Sequence, residues 1–526
     1  MILTRTDIIR ILKERPNAAS VLAGQQMNKV LAVHIAGIGM KPYLELINSF
    51  ENEDQARVRQ KYAKSNKDVF ERLGRPIDDV FTARGGSILM DLPKEQQRVM
   101  HEYMADVEWG YSLREWMANI ALPYYKMDPM GLVMMEVGQN EAYPTYKCVA
   151  DIYDYQLSGR KPEYVVFTTP IKNTYRVVDD ANDRTVRWDG GDSIQFTEVF
   201  TNYWGYVPAR VISDLLRTGE QVYCSPFDAV VELADQVLRD GSVKNVLKLK
   251  HGFPKWWQHQ ISCSDCKSTG LKEGKSCPSC KGTGKKLSYD VADVINVPIP
   301  KNGDPQIAPD VAGYIAPPID GLDMLTAEIK LLEEEMVHTV WGTYDKENSK
   351  DTAFAWLLDA QPKIKRQNKF ANWAEYLEQF ILTAMCEFYY PSSFKGCSVN
   401  YGRCYIQETP EAAWEKYQDA RKNGAPQTSL DELLREYYYT KYSHNSLELQ
   451  KHIRLMKIEP FVHQTIQEAK LTAGGTVDYV AKLYFTEWLG TLGEGDPVFV
   501  DQQVLRSRLY TYAEQKYKAM PKPITV

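Results

Sequence analysis

No run of about 18 apolar residues occurs in the chain, so the sequence predicts no membrane-spanning helix. The opening stretch, Met1-Ile-Leu-Thr-Arg-Thr-Asp-Ile-Ile-Arg, mixes charged and apolar residues at helical spacing. It lacks an apolar signal core, and no signal peptide is expected. Histidine is scarce, with eight in 526 residues, and the eight are scattered. His101-Glu102 has no second histidine to complete a zinc-protease helix. The phosphate-loop pattern GxxxxGK[ST] is missing. His34-Ile-Ala-Gly37-Ile-Gly39 has Pro42 where a dinucleotide loop needs its third glycine. The acidic groups Asp78-Asp79, Asp179-Asp180 and Glu333-Glu334-Glu335 have no partner pattern and read as solvated faces. With no local catalytic signature, the expectation is a protein that is not an enzyme. A net charge of -6 argues against a basic nucleic-acid coat. Low-complexity tracts and a fixed-period repeat are not evident either.

Cysteine is also sparse, and its distribution is informative. Five of the nine cysteines are scattered (Cys148, Cys224, Cys386, Cys397, Cys404). An odd total with scattered singles argues against a disulfide framework and suits a reducing cytoplasm. The other four are grouped: Cys263-Ser-Asp-Cys266-Lys-Ser-Thr-Gly270, then Cys277-Pro-Ser-Cys280-Lys-Gly-Thr-Gly284. Each CxxC pair grips one side of a tetrahedral ion, and two pairs close the site with no open position for water. Cys263, Cys266, Cys277 and Cys280 are therefore expected to hold one structural Zn2+ per chain. The glycines let the backbone turn beneath the metal, where amides bond to sulfur. The paired units resemble half of the cysteine-rich domain of DnaJ-type co-chaperones over about 22 residues, which indicates local knuckle chemistry. The His-Pro-Asp of a J-domain is missing.

Lysines surround this group. Lys244, Lys248, Lys250, Lys255, Lys267, Lys272, Lys275, Lys281, Lys285 and Lys286 are opposed only by Asp265 and Glu273 before Tyr289. Such a module meets phosphates or an acidic partner, or serves as a solubilising face.

The remaining chain reads as α+β and mainly helical. Helical patterns cover 55–73, stopping at Gly74 and Pro76, and 93–121, stopping before Pro123. Residues 145–210 turn to β-branched and aromatic runs with Asp/Asn/Gly turns, as in Glu163-Tyr-Val-Val-Phe-Thr-Thr, and predict short antiparallel strands. Ser225-Pro-Phe-Asp228 caps a helix whose apolar stripe is Phe227, Val230, Val231, Ala234 and Leu238, with Asp240-Gly241 as a break or bend. Leu322, Leu325, Ile329, Leu332 and Met336 form a narrow helix–helix seam. The polar stretch Trp341–Lys350 precedes a long helix from Thr352 to about Tyr389. Pro362 is expected to kink it, and Phe370, Trp373, Leu377, Phe380, Ile381 and Ala384 form its buried face. Thr409-Pro410 starts a further helix, and Ser429-Leu-Asp-Glu432 reads as a capping box starting another.

This order of segments resembles the portal protein of tailed bacteriophages, over most of residues 140–405. Asn202-Tyr-Trp-Gly-Tyr-Val-Pro208 is similar to the family's Gly-x-x-Pro stretch before the stem. The resemblance implies a wing over 1–224, a first stem helix over 225–247, and a clip over 248–319 that carries the knuckle at 263–284. A second stem helix follows over 320–340, then a tunnel loop over 341–351, a long kinked helix returning to the wing over 352–405, and a helical crown over 406–526. The knuckle is a departure from most portals.

The resemblance further implies a closed homo-oligomeric ring of about twelve subunits, with 322–336 as the subunit seam. Lys346, Asn348, Ser349 and Lys350 would touch double-stranded DNA in the channel. Lys267, Lys272, Lys275, Lys281, Lys285 and Lys286 would form the clip's docking face. The implied partners are terminase, a head–tail adaptor and the major capsid protein, with no membrane. The implied place is the portal vertex of a virion assembled in the host cytoplasm. Two other readings stay open: a nucleic-acid-processing enzyme with a structural knuckle, and a zinc-containing chaperone or adaptor.

Overall fold

The structure, a computed structural model, describes residues 1–519 except 49–50, 109, 139–140, 218, 252–254, 260–261, 287–294, 298–311, 316–318, 344–352, 406–408, 443–445 and 494–495. It is α+β, 56% helical, with several small sheets, so helix dominates as the sequence predicts. Two compact units divide it, Met1–Tyr405 and Ile406–Val526. No single helix among the described residues is long and apolar enough to cross a membrane.

In the first unit the β-branched region forms an antiparallel meander of five strands in sequence order: Ile152–Ser158, Lys161–Thr168, Thr174–Val178, Asn182–Arg187 and Gln195–Thr201. Its turns have the predicted chemistry. Gly159 and Asn173 adopt φ of 59° and 61°, where glycine and asparagine are the cheapest residues. The buried carboxylate of Asp179 accepts the amides of Ala181 at 2.9 Å, Asn182 at 2.8 Å and Leu3 at 3.0 Å, and also pairs with Arg184. Leu3, Ile8, Ile11 and Leu12 from the N-terminal segment pack on Tyr164, Val166, Val177 and Val186 of this sheet. A three-stranded sheet of Ala142–Lys147, Leu132–Val137 and Ala209–Val211 lies in a second core.

Five helices frame the rest: α1 (Ala18–Ala36), α2 (Lys67–Thr82), α3 (Val231–His251), α4 (Ile319–Trp341) and α5 (Ala353–Tyr389). Three expected interruptions do not interrupt. First, α2 runs through Gly74 and Pro76, while the break falls after Tyr62, the end of the preceding helix Glu53–Tyr62. The apolar stripe Phe70, Leu73, Ile77 and Val80 is buried on both sides of the proline. Carbonyls near the proline are taken by other side chains: Trp341 Nε1 donates to Leu73 at 3.1 Å and Gln367 Nε2 to Pro76 at 3.0 Å. Second, the helical run Leu113–Met127 passes Pro123, because a π-turn over Met117–Ala121 precedes it. A wider turn relieves the proline ring's clash with the preceding turn. Third, α3 is continuous through Asp240-Gly241.

Ser225 does not cap α3 as expected: its Oγ accepts the Phe227 amide at 3.1 Å in a local turn and donates to the Lys126 carbonyl at 2.6 Å, and a short 3-10 turn, Asp228–Val230, begins after Phe227 and leads into the helix. α3 and α4 lie side by side and antiparallel. Phe227, Val230, Ala234 and Val237 meet Leu332, Met336, Val340 and Trp341 in one core. α5 contributes the predicted face, since Phe370, Trp373, Leu377, Phe380, Ile381 and Ala384 are all buried there. The helix stays continuous through Pro362 over its 37 residues, about 55 Å at 1.5 Å per residue. Strand Cys397–Cys404 then returns against α5 and pairs with Arg84–Met90.

Between α3 and α4 the chain forms a mixed sheet. Lys255–His259 pairs antiparallel with Ala312–Ile315 and parallel with Ile295–Val297. Gly313 faces Trp257 so closely that a Cβ would lie 2.8 Å from the indole nitrogen. The four-cysteine segment is inserted after the first of these strands.

The second unit is helical. Thr409 caps Pro410–Lys422 through its hydroxyl, which accepts the Ala412 amide at 3.3 Å. The next helix, Gln427–Lys441, starts at Pro426 rather than Ser429. The Ser429 amide already donates to the Pro426 carbonyl at 3.0 Å, so the proposed capping box sits inside the first turn. Leu430 and Leu434 pack with Tyr417 and Met456, while Phe485, Trp488, Leu505 and Leu509 form a separate core.

Candidate metal centre

The cysteine segment folds as two copies of one loop. Cys-x-x-Cys-Lys-x-Thr-Gly occurs at Cys263–Gly270 and again fourteen residues later at Cys277–Gly284. The backbones match: Lys267 and Lys281 both have φ of 48°, Ser268 and Gly282 have 67° and 82°, and Gly270 and Gly284 have 74° and 70°. Left-handed residues at these places curl the chain back under the second cysteine of each pair.

Each threonine holds its own curl. Thr269 Oγ1 donates to the Cys266 carbonyl at 2.6 Å, and Thr283 Oγ1 to the Cys280 carbonyl at 2.7 Å. Amides of the same threonines reach the same carbonyls, both at 3.0 Å. The copies interlock through their glycines. A Cβ on Gly270 would stand 2.4 Å from the Gly282 carbonyl oxygen, and one on Gly284 2.4 Å from that of Ser268. Between the copies, Leu271–Lys272 and Lys275–Ser276 make a hairpin. Its two turn residues, Glu273 and Gly274, have φ of 52° and 75°, as a tight type I′ turn requires. A bridge between Ser262 and Lys285 ties the ends together.

This arrangement buries all four cysteines and brings their Sγ atoms within 4.8 Å of one another. Cys266 and Cys280 Sγ are 3.6 Å apart. A tetrahedral ion with sulfur at about 2.3 Å requires sulfur–sulfur edges of about 3.8 Å, so the donor set fits one. Electrostatics points the same way. Although burial opposes its ionisation, Cys280 is brought down to about 7 by the amides of Gly284 and Gly282 and by the neighbouring thiols. The Gly284 amide donates to Cys280 Sγ at 3.3 Å. Burial pushes Cys266 up to about 11, and the other three thiols add to that while the Gly270 amide opposes it. Four thiolates side by side need a cation, and a divalent ion supplies it. With four buried sulfurs and no open ligand position, such an ion braces the fold and does not activate water.

Lys267, Lys272, Lys275, Lys281, Lys285 and Lys286 are all exposed around the cluster. Lys267 and Lys281 are equivalent by the repeat. Of the two acids nearby, Asp265 accepts the Ser279 hydroxyl. Six lysines against Asp265 and Glu273 give the segment four excess positive charges. A divalent ion with four thiolates contributes two negative ones, so the surface stays cationic.

The other predicted sites are not brought to this centre. Lys346, Asn348, Ser349 and Lys350 lie outside the described residues. The expected seam on α4 is divided. Leu332 and Met336 are buried in the chain's own core, while Leu322, Leu325 and Ile329 are half-buried. The opposite side of the helix exposes Met324 and Leu331, each 64% accessible. Sequence reading missed the repeat itself. Its signal was the shared Lys-x-Thr-Gly after each CxxC, at a spacing of fourteen. No protein-family model matches the chain, and no curated protein matches it.

Proposed function

We propose that this protein is the subunit of a portal ring, a channel at one capsid vertex that passes double-stranded DNA during packaging and ejection and joins head to tail. The observation that carries this reading is the helical hairpin. α3 and α4 rise antiparallel from one core, their far ends continue into the strand pair Lys255–His259 and Ala312–Ile315, and the long α5 follows. A stem, a clip and a return helix have that order. Leu322 and Leu325 are half-buried and Met324 and Leu331 exposed, which leaves the first half of α4 with apolar surface for a neighbouring stem. Identical subunits joined by unlike surfaces close into a ring where the rotation between neighbours closes.

In this reading the ion between the four cysteines is zinc, and its role is to brace the clip. The exposed lysines around it present a cationic face to terminase during packaging and to the adaptor afterwards. We assign the tunnel loop to the stretch that follows Trp341, with Lys346 and Lys350 for brief phosphate contacts and Asn348 and Ser349 for polar ones. The mild net acidity of the chain suits sliding DNA, because a strongly basic bore would hold a polymer carrying one charge per about 1.7 Å. The channel is passive and hydrolyses nothing.

Negative-stain microscopy and native mass spectrometry of the full chain test the reading. Rings of about twelve subunits are expected. A monomer at high concentration, or nuclease or ATPase turnover abolished by a point substitution, would overturn it.

A further inference from the structure

The five-stranded sheet of the first unit has two edges that are finished differently. The Ile152–Ser158 edge packs against α1, and side chains occupy its carbonyls. Gln25 Nε2 donates to Ile152 at 3.4 Å, and Arg15 donates to Tyr153 from Nε at 3.1 Å and Nη2 at 2.9 Å. The opposite edge, Gln195–Thr201, is bare. Among the described residues its main chain is hydrogen-bonded to no element but Asn182–Arg187. All of its residues except Phe196 are exposed, and Val199 and Phe200 are 57% and 61% accessible. Edges are ordinarily blunted by lysine, proline or bulges. This one has no lysine or proline, and its one irregularity, at Thr197, leaves Glu198–Thr201 in regular pairing. A groove of about 490 Å3 opens beside it, lined by apolar residues such as Phe200 and Trp204 and by the polar Glu136, Arg176, Asp183 and Glu198.

The same unit carries a second bare edge. Arg84–Met90 pairs only with Cys397–Cys404; Gln97 Nε2 occupies the Met90 carbonyl at 3.0 Å, and the rest of its other side has no main-chain partner among the described residues. Gly85, Gly86 and Ser87 are exposed, and Leu89 is 67% accessible. The two edges are matched. Each is seven residues long, and each offers a large apolar residue to solvent, Leu89 on one and Phe200 on the other.

We propose that Arg84–Met90 of one copy of this chain adds as a sixth strand to the Gln195–Thr201 edge of the next copy. Strand addition satisfies the amides and carbonyls that both edges leave open. Because the two edges are different surfaces, each copy keeps one edge free for a further neighbour, so the contact propagates until it closes. The proposal rests on the ring reading and names an interface for it outside the stem.

Cysteine cross-linking in the full-length, metal-loaded protein tests it. Ser87→Cys is combined in turn with Thr197→Cys, Glu198→Cys and Val199→Cys. The single variants serve as controls for the native, exposed Cys404. One combination is expected to give a disulfide ladder extending past the dimer on non-reducing gels. A ladder stopping at the dimer means a self-complementary contact and overturns the pairing. Leu89→Lys and Val199→Lys, each checked for zinc content and circular dichroism, should cut the ring fraction at least tenfold. Undiminished rings in both, without cross-links, overturn the strand pairing alone. Monomers under all conditions overturn the ring reading as well.

Discussion

The core around α5 and the four-cysteine segment are held together by opposite means. In the first, Trp373 is fully buried, stacks on Tyr125 with ring centres 4.0 Å apart, and donates its indole N–H to the Ile212 carbonyl at 2.7 Å. Dozens of apolar side chains around it share the burial. In the second, the buried side chains among the described residues are the four cysteines. A segment of 22 residues cannot bury enough carbon to order itself. Its free energy of folding has to come from the ion. The body should therefore be indifferent to metal, and the knuckle wholly dependent on it.

Chelation or Cys277→Ser breaks this comparison most severely. Structural zinc in such knuckles is worth about 10–16 kcal/mol at neutral pH. Metal analysis should give about one ion per chain, and its loss should abolish hydrogen-exchange protection across Cys263–Gly284 and leave the main melting transition in place. A main transition that collapses with the metal would show that the two regions are not separately held. The converse substitution is Trp373→Ala. Truncating a packed indole costs about 3–5 kcal/mol, so denaturant midpoints should fall sharply while zinc content stays at one per chain.

Gly284→Ala is a finer probe. Its Cβ would meet the Ser268 carbonyl oxygen at 2.4 Å from a backbone at φ +70°, an overpacking worth about 1–3 kcal/mol. Competition with a chromogenic chelator should report weaker zinc retention. Gly274→Ala, at φ +75° with open space around it, should weaken it less. Equal losses would refute the interlocking of the two loops.

Acid should separate the regions by the smallest margin. Burial works against ionisation of Glu136, but Arg176 and Lys147 hold its carboxyl below the ordinary glutamate value. A depressed carboxylate adds stability that is present above its unfolded pKa and lost as pH falls through the folded one, here below about pH 4. Protons compete with the ion for the thiolates already at higher pH. Zinc release is thus expected before the body unfolds, as read by a zinc-responsive dye against near-UV circular dichroism. Simultaneous loss would mean that the body leans on the knuckle.

Some of this was legible along the chain because the physics is local. Two CxxC pairs close in sequence can reach one ion whatever surrounds them. The stripe from Phe370 to Ala384 announced its buried face through a 3.6-residue period, and Asp, Asn and Gly marked the turns of the meander. The misread positions share a different cause. Pro76 reads as a stop until Trp341 and Gln367, nearly 300 residues away, bond the carbonyls beside it. Pro123 is absorbed by a π-turn. Leu332 and Met336 fit the periodicity of a seam, but periodicity does not say whether the partner helix belongs to the same chain. The partner proved to be α3.

What the sequence determined by itself was therefore chemistry at short range: the four thiols, their glycine and threonine supports, the turn residues and the apolar stripes. These depend on neighbours within a few residues. Only the tertiary structure decided which faces were already covered, which prolines were tolerated, and which sheet edges were left bare. Those are outcomes of competition among distant segments for the same buried surface and the same hydrogen-bonding groups, and no local pattern records who wins it.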